Sequence, residues 1–331
     1  MAVRIAASAP TRIDLAGGTI DIWPLYLFHH GAQTLNVAIS LRAHARLAPR
    51  DDDLVALVSE DTHREAVLPP GDALRDDPTL PLLGRLAHHF DVRGVTLVTR
   101  GESPAGAGIA GSSALNIAVC GALNVWTGRG LGHEGLLDVA KDIEAQVIHV
   151  PTGLQDYRPA LYGGIAALEL QPGSVRRVAL DVDPRELQAR LVLCYTGEPR
   201  NSGTNNWEIT KRHIDGDPHV FDCFERIRDT AVAMRRSLEA GDWEGVAAHL
   251  AVEWANRKRL APGVSTPAID DLIARAHAAG AQAAKVCGAG GGGCLVAMAT
   301  PEGTGAVREA LAAGGARLLD FTIETDGLRL G

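Results

Sequence analysis

The chain has 331 residues, 46% of them hydrophobic and 22% charged, with a formal net charge of −8. That length exceeds what one small core needs and leads to an expectation of two domains, the composition excludes a disordered chain, and the acidic balance excludes a nucleic-acid binder held by bulk electrostatics. Five scattered cysteines without Cys-x-x-Cys spacing indicate thiols in a reducing compartment, and no stretch is apolar for the roughly 18 residues of a membrane helix, so a cytoplasmic protein without membrane or nucleic-acid partners is expected.

In chain order, Arg4–Ser8 reads as a strand with no apolar leader before it, followed by Ala9-Pro-Thr-Arg-Ile-Asp-Leu-Ala-Gly-Gly-Thr-Ile-Asp21. Arg12 and Asp14 alternate with Ile13 and Leu15 and so share a strand face. Gly17 and Gly18 mark a tight turn that leads to Asp21. Acid and base arriving together at a glycine turn suit a polar ligand; a solvated edge is the alternative. Strand-like alternation continues over residues 35–48 and 54–58, with His44 read as a surface residue. A proline-bounded connection over 72–81 precedes a short helix at 82–90.

Val95–Thr99 alternates as a strand and runs into Pro104-Ala-Gly-Ala-Gly-Ile-Ala-Gly-Ser-Ser-Ala-Leu115. So little side chain there lets backbone N–H groups approach a ligand closely. Ser112 and Ser113 stand where an N-cap is expected before the apolar helix of residues 114–126. Strand, glycine loop and positive helix end, in that order, suit a phosphate. The spacing is neither that of a P-loop nor of a dinucleotide fingerprint. On its own the loop also reads as a plain flexible connection.

Helical spacing returns over residues 131–150, with Glu144 among the charges, and residues 151–159 break it. Asp156 falls between a helix end and a restart, where a carboxylate either reaches a pocket or caps a helix. A strand at 165–170 gives way to Pro- and Gly-interrupted, charged texture over 171–187, which sets the expected boundary between residues 1–180 and 181–331. A buried strand at 191–195 and a polar loop with Arg200 and Ser202 follow. Helices are expected over 204–215, 221–240, 243–260 and 267–279. Residues 283–298 then read as strand, glycine run and strand, with Gly288 and Gly290–Gly293 giving five glycines in six positions. A plain hairpin needs one or two, so another segment or a ligand must approach the backbone there. A helix near 302–313 and a strand at 317–323 close the chain, and no internal repeat is visible.

These three elements, in this order, resemble the motifs of the GHMP kinase family, matching at residues 9–18, 104–114 and 285–294. Within that family the chain is most similar to the sugar 1-kinases, on Gln155-Asp-Tyr with Tyr162-Gly-Gly, on Trp254-Ala-Asn-Arg-Lys-Arg-Leu260 and on Ser265-Thr-Pro-Ala-Ile-Asp270. It departs from them at Ala110-Gly111 in place of Gly-Ser, at Gly17-Gly-Thr-Ile-Asp21, and at Arg158-Pro159 in place of small residues. The last two departures lie on the expected sugar side.

The resemblance implies an α+β, two-domain fold, with an N-terminal ribosomal-S5-like unit, a C-terminal ferredoxin-like unit and the active site in the cleft between them. It implies an ATP- and Mg²⁺-dependent kinase, monomer or homodimer, acting on a hydroxyl of a sugar or sugar phosphate, the anomeric one first. A non-sugar alcohol such as mevalonate or an amino alcohol, and a non-catalytic binder, are the rivals. By residue, it makes Asp156 the base and Arg12 the cation beside it. It gives Pro104, Gly106, Ala107, Gly108, Ala110, Gly111, Ser112, Ser113, Gly290 and Gly291 to the nucleotide, and Ser113 (or Ser112) with Glu144 to the metal. Asp21, Gly17, Gly18 and Gln155 go to the sugar; Arg200 and Lys258 go to a phosphate already on it, with surface salt bridging the alternative for both cations.

Overall fold

The computed structural model describes residues 4–199 and 202–331, the side chains of 202–205 excepted. Its first half builds on a long antiparallel pair, β1 (Ile5–Ala16) and β2 (Gln33–Pro49), which run side by side over their whole length. The register shifts between Pro10 and Thr11, where proline offers no N–H to the ladder. Strands β3 (Val55–Ser59) and β4 (Arg64–Leu68) form a hairpin, and helices α1 (Asp72–Arg75) and α2 (Pro81–His89) lead to β5 (Val95–Gly101). Helix α3 (Gly111–Thr127) is apolar on nearly every side because it is buried on nearly every side, packed across β1 and β2. Helices α4 (His133–Ile148) and α5 (Tyr157–Tyr162) cover it, and β6 (Ile165–Gln171) with β7 (Ser174–Ala179) finishes the sheet.

After α6 (Pro184–Gln188) and β8 (Leu191–Tyr195) come the long helices α7 (Ser202–Ile214), α8 (Pro218–Ala240), α9 (Trp243–Leu260) and α10 (Pro267–Ala278). Then follow β9 (Ala283–Val286), β10 (Cys294–Met298), α11 (Thr304–Ala313), β11 (Arg317–Leu318) and β12 (Arg329–Leu330). The large sheet has the order β12-β1-β2-β5-β3-β4, with β6 on the first half of β2 and β7 beyond it; the small sheet is β11-β8-β10-β9. The tail therefore returns to the large sheet, and Leu328 lies where a side chain on Gly121 of α3 would have to be.

Three apolar clusters organise the packing. One lies between the large sheet and α2–α5. A second lies under α7–α11 and the small sheet. The third fills the seam between the sheets, joining Ile13 and Val37 to Leu193, Met234 and Val296. The expected strand at 317–323 is only β11 plus an isolated bridge from Ile323 to Ile39. Strands β4 and β7 have no buried face and β12 is two residues long, so alternation does not reveal them.

Candidate active site

Arg12 lies in β1 at the seam, fully buried, and every end of its guanidinium is held. Its Nε donates to Asp156 Oδ1 at 3.0 Å and Nη2 donates to the same oxygen; Nη1 donates to the Gly108 carbonyl at 2.8 Å and to Asp14 Oδ1 at 3.2 Å. Burial opposes the charge, but the carboxylates of Asp156 and Asp14 outweigh it and hold the guanidinium protonated more firmly than usual. The Arg12 backbone N–H also donates to the Ile109 carbonyl at 3.0 Å. Strand β1 thus grips the glycine loop by main chain and side chain together.

That loop lines a cleft of about 330 Å³ together with Glu144, Gly153, Asp156 and Asn206. The helix behind it begins at Gly111, and its N-cap is Ala110 in the left-handed conformation with φ 62°. The serines are therefore not the cap. They sit in the first turn of α3, and their hydroxyls donate to Glu144 of α4, Ser112 to Oε1 at 2.8 Å and Ser113 to Oε2 at 3.1 Å. The uncapped N–H groups of that turn are left to a ligand. Glu144, which amphipathic spacing allows to be solvated, is buried and also accepts from Tyr157 Oη at 2.6 Å. Burial raises its pKa, and the hydroxyl donors oppose the rise.

Asp156 is the residue before α5, yet its side chain makes no capping bond and goes to Arg12 instead. Asp21 lies behind Gly153, where a Cβ would stand 2.2 Å from Asp21 Oδ2. Its Oδ2 accepts from the Gln155 backbone N–H at 2.8 Å, while Asp21 Oδ1 and Gln155 Oε1 are buried without hydrogen-bond partners among the described residues. Burial pushes the Asp21 carboxyl up to about 6; the Gln155 N–H opposes the rise and the Asp156 charge adds to it. On the other side of Arg12, Asp14 meets Lys285 of β9, whose Nζ is 2.7 Å from both its backbone oxygen and Oδ2. Both side chains are fully buried, and Lys285 together with Arg12 outweighs burial to hold Asp14 at about 2. Glu253 of α9 is fully buried at the same cluster; burial raises its pKa, against Lys285 and Arg257.

The GHMP kinases N terminal domain model matches residues 80–164, and the GHMP kinases C terminal model matches residues 234–317. The chain belongs to the GHMP kinase family. Among known members of the family it is 28% identical to the D-glycero-alpha-D-manno-heptose 7-phosphate kinase of Campylobacter jejuni, over 98% of each chain. It is also 28% identical to the mevalonate kinase of Thermococcus sibiricus, over 72% of this chain and 69% of that one. The crystal structure of a D-glycero-D-manno-heptose 1-phosphate kinase from Bacteroides thetaiotaomicron superposes with a TM-score of 0.80 over 99% of this chain and 98% of that one; at 23% identity the likeness shows the two-domain fold alone.

In this GHMP kinase the structure brings together Arg12, Asp156, Glu144 and the whole run Pro104, Gly106, Ala107, Gly108, Ala110, Gly111, Ser112 and Ser113. Asp21 and Gln155 adjoin this group, joined by the Gln155 N–H, and the other expected residues sit elsewhere. Gly17, with φ 78°, lets the turn press on β2, since a Cβ there would stand 2.0 Å from the Gln33 carbonyl; Gly18 packs on Arg257. Gly290 and Gly291 pack on the Val264 carbonyl rather than lining the cleft, and it is Gly293 and Cys294 that close onto Ala107 of the second loop. Lys258 points away, its ammonium 3.9 Å from Asp270 and over the Trp254 ring; its neighbour Arg257 is the one that turns inward. Arg158, a departure expected on the sugar side, instead grips Glu134 of α4 with both terminal nitrogens, at 2.9 and 2.8 Å. Arg200 lies outside the described residues.

Sequence reading missed Tyr157, Asn206, Lys285 and Arg257. Lys285 had a signal, as the one charge in the otherwise apolar Ala-Ala-Lys-Val strand. Asn206 had none.

Proposed function

We propose that this GHMP kinase transfers the γ-phosphoryl group of ATP to the anomeric hydroxyl of a sugar or sugar phosphate, a heptose 7-phosphate first among them. The observation that carries the reading is the Arg12–Asp156 pair set against the glycine loop and the first turn of α3. A phosphate-binding helix end and a carboxylate fixed beside it by a buried cation are the parts phosphoryl transfer asks of a protein, which mainly positions and neutralises. The similarity to the C. jejuni heptose 7-phosphate kinase along 98% of each chain supports the acceptor class. So do the orphaned oxygens of Asp21 and Gln155, which a polyol supplies with donors. A mevalonate-like acceptor would bring its own carboxylate against Asp21 and is disfavoured by like charge.

Backbone N–H groups of residues 106–113 hold the nucleotide phosphates in this reading. The acceptor oxygen forms its bond to the γ-phosphorus as the bond to the departing β-phosphate oxygen breaks, and its proton passes to Asp156. Oδ1 of Asp156 is occupied by Arg12, so Oδ2 is the oxygen that takes the proton. An anomeric hydroxyl is acidic for an alcohol, which lessens what the base must do. Among the described residues no cluster of three or more His, Cys, Asp or Glu side chains could hold a metal by itself. The hydroxyls of Ser112 and Ser113 beside the Glu144 carboxylate nonetheless fit Mg²⁺, which takes oxygen ligands and keeps most of its waters. When bound there, Mg²⁺ would neutralise charge on the phosphates.

No described helix is long and apolar enough to cross a membrane. We place the protein in the cytoplasm, as a monomer or homodimer of two units, residues 1–180 and 181–331. The test is a panel of hexoses, heptoses, their terminal phosphates, mevalonate and amino alcohols with ATP and Mg²⁺. A heptose 7-phosphate should give the highest kcat/KM; preference for a non-sugar alcohol overturns the reading.

A further inference from the structure

The third glycine loop carries no residue that lines the cleft, yet one of its residues is gripped at both its N–H and its carbonyl by charged side chains. The Gly288 N–H donates to Asp14 Oδ1 at 2.8 Å, and the Gly288 carbonyl accepts from Arg257 Nη2. From Asp14 the chain of contacts runs through Arg12 to Asp156. From Arg257 it runs through Nη1 to Thr19 Oγ1 at 2.6 Å, in the turn that carries Asp21. The same loop touches the nucleotide loop directly: Cys294 N–H donates to the Ala107 carbonyl at 2.6 Å, and a Cβ on Gly293 would stand 2.7 Å from it. All of Arg12, Asp14, Arg257 and Lys285 are buried, where charges are screened little and geometry is held firmly.

We propose that Asp14 and Arg257 are positioning residues that act through the main chain of Gly288, so that filling the nucleotide loop sets the two acceptor-side carboxylates, Asp156 by way of Arg12 and Asp21 by way of Thr19. The inference rests on the acceptor-side assignment of those carboxylates made above. It gives the buried Lys285 a task as well: its ammonium neutralises Asp14 and leaves Oδ1 free to take two donors at once, the Gly288 N–H and the Arg12 guanidinium. Coupling of this kind is reciprocal, so a sugar bound at Asp156 and Asp21 tightens the nucleotide by the same factor.

Amide hydrogen exchange read by mass spectrometry, with Mg²⁺ and the non-hydrolysable analogue AMP-PNP as the probe, tests this without any acceptor. In the wild type the analogue should slow exchange at residues 104–113 and also at 153–157 and 17–23. Asp14→Leu combined with Lys285→Met removes acceptor and ammonium together, so neither member of that ion pair is left buried without the other. That variant should keep the protection at 104–113 and lose it at 153–157, with kcat reduced by about 10² and the affinity for AMP-PNP without acceptor little changed. Asp14→Asn with Lys285→Met keeps an oxygen for Gly288 and Arg12 and should restore both. Arg257→Met should lose protection at 17–23, and it decides the matter if the leucine variant does not fold.

Wild-type protection at 153–157 in the leucine variant overturns the proposal, as does equal loss in the leucine and asparagine variants, which marks a merely structural role. Retained protection at 17–23 in Arg257→Met overturns it too. Failure of the wild type to bind AMP-PNP overturns the kinase reading itself, and the inference with it.

Discussion

Asp156 and Asp21 are both acidic residues beside one cleft, and their surroundings give them different work. Asp156 is partly open and tied to Arg12. Asp156→Asn keeps the size and one acceptor for Arg12 but removes the base, so kcat should fall by about 10²–10⁴ with nucleotide binding retained; stopped-time product assays and titration with AMP-PNP read the two. Asp21 is buried behind Gly153, which pushes its carboxyl up to about 6. A raised acid binds its proton more tightly folded than unfolded, so stability falls as pH rises from about 4 to about 6 and stays lower above that. Asp21→Asn should match the wild type near about pH 4 and exceed it by up to about 3 kcal/mol near about pH 8, measured by urea unfolding. The same substitution should raise the acceptor KM above about pH 6, where the wild-type carboxylate is the better acceptor of sugar hydroxyls. Residue identity was legible in the sequence; neighbourhood was not. Arg257 and Lys258 are adjacent on α9, and which one faces the seam is decided by helix rotation against β9.

At the scale of elements, the site is three loops held at one place by strands. Glycine is read easily because its need is local: a left-handed turn or a close contact demands it wherever it sits. The second loop was recognisable for that reason. The capping expectation failed because the left-handed residue at the start of α3 is Ala110, which leaves the serines within the first turn, where Glu144 takes their hydroxyls. Glu144→Gln and Ser113→Ala should weaken use of Mg²⁺–ATP more than binding of metal-free nucleotide. Identical Mg²⁺ titration curves for Glu144→Gln and wild type would remove Glu144 from the metal site. The third loop acts on the second through Gly293, at φ +87° with a Cβ position 2.7 Å from the Ala107 carbonyl. Gly293→Ala should cost about 1–3 kcal/mol and raise the KM for ATP; an unchanged unfolding midpoint would mean that the two loops are not packed as described.

At the scale of the whole molecule, two sheets meet along a seam that is apolar for most of its area and charged at one cluster, Arg12, Asp14, Glu253, Arg257 and Lys285. Order and type of the long elements follow from hydrophobic periodicity, and the family's two-domain fold follows from three motifs. The seam does not follow from either. Lys285 and Asp14 are 271 positions apart in sequence, and nothing local says that they pair. The return of β12 to β1 rests on a two-residue strand that only the finished sheet makes necessary. What the seam would fix is the distance between the helix end proposed to hold phosphates and the carboxylate proposed to take a proton. That proposal is tested most directly by phosphorus NMR of the product formed from ATP, Mg²⁺ and D-glycero-D-manno-heptose 7-phosphate. The product should be a sugar bisphosphate with a new phosphate on the anomeric carbon, coupled to the anomeric proton and absent with Asp156→Asn. A product phosphorylated at any other hydroxyl, or anomeric transfer that survives Asp156→Asn at the wild-type rate, would contradict it.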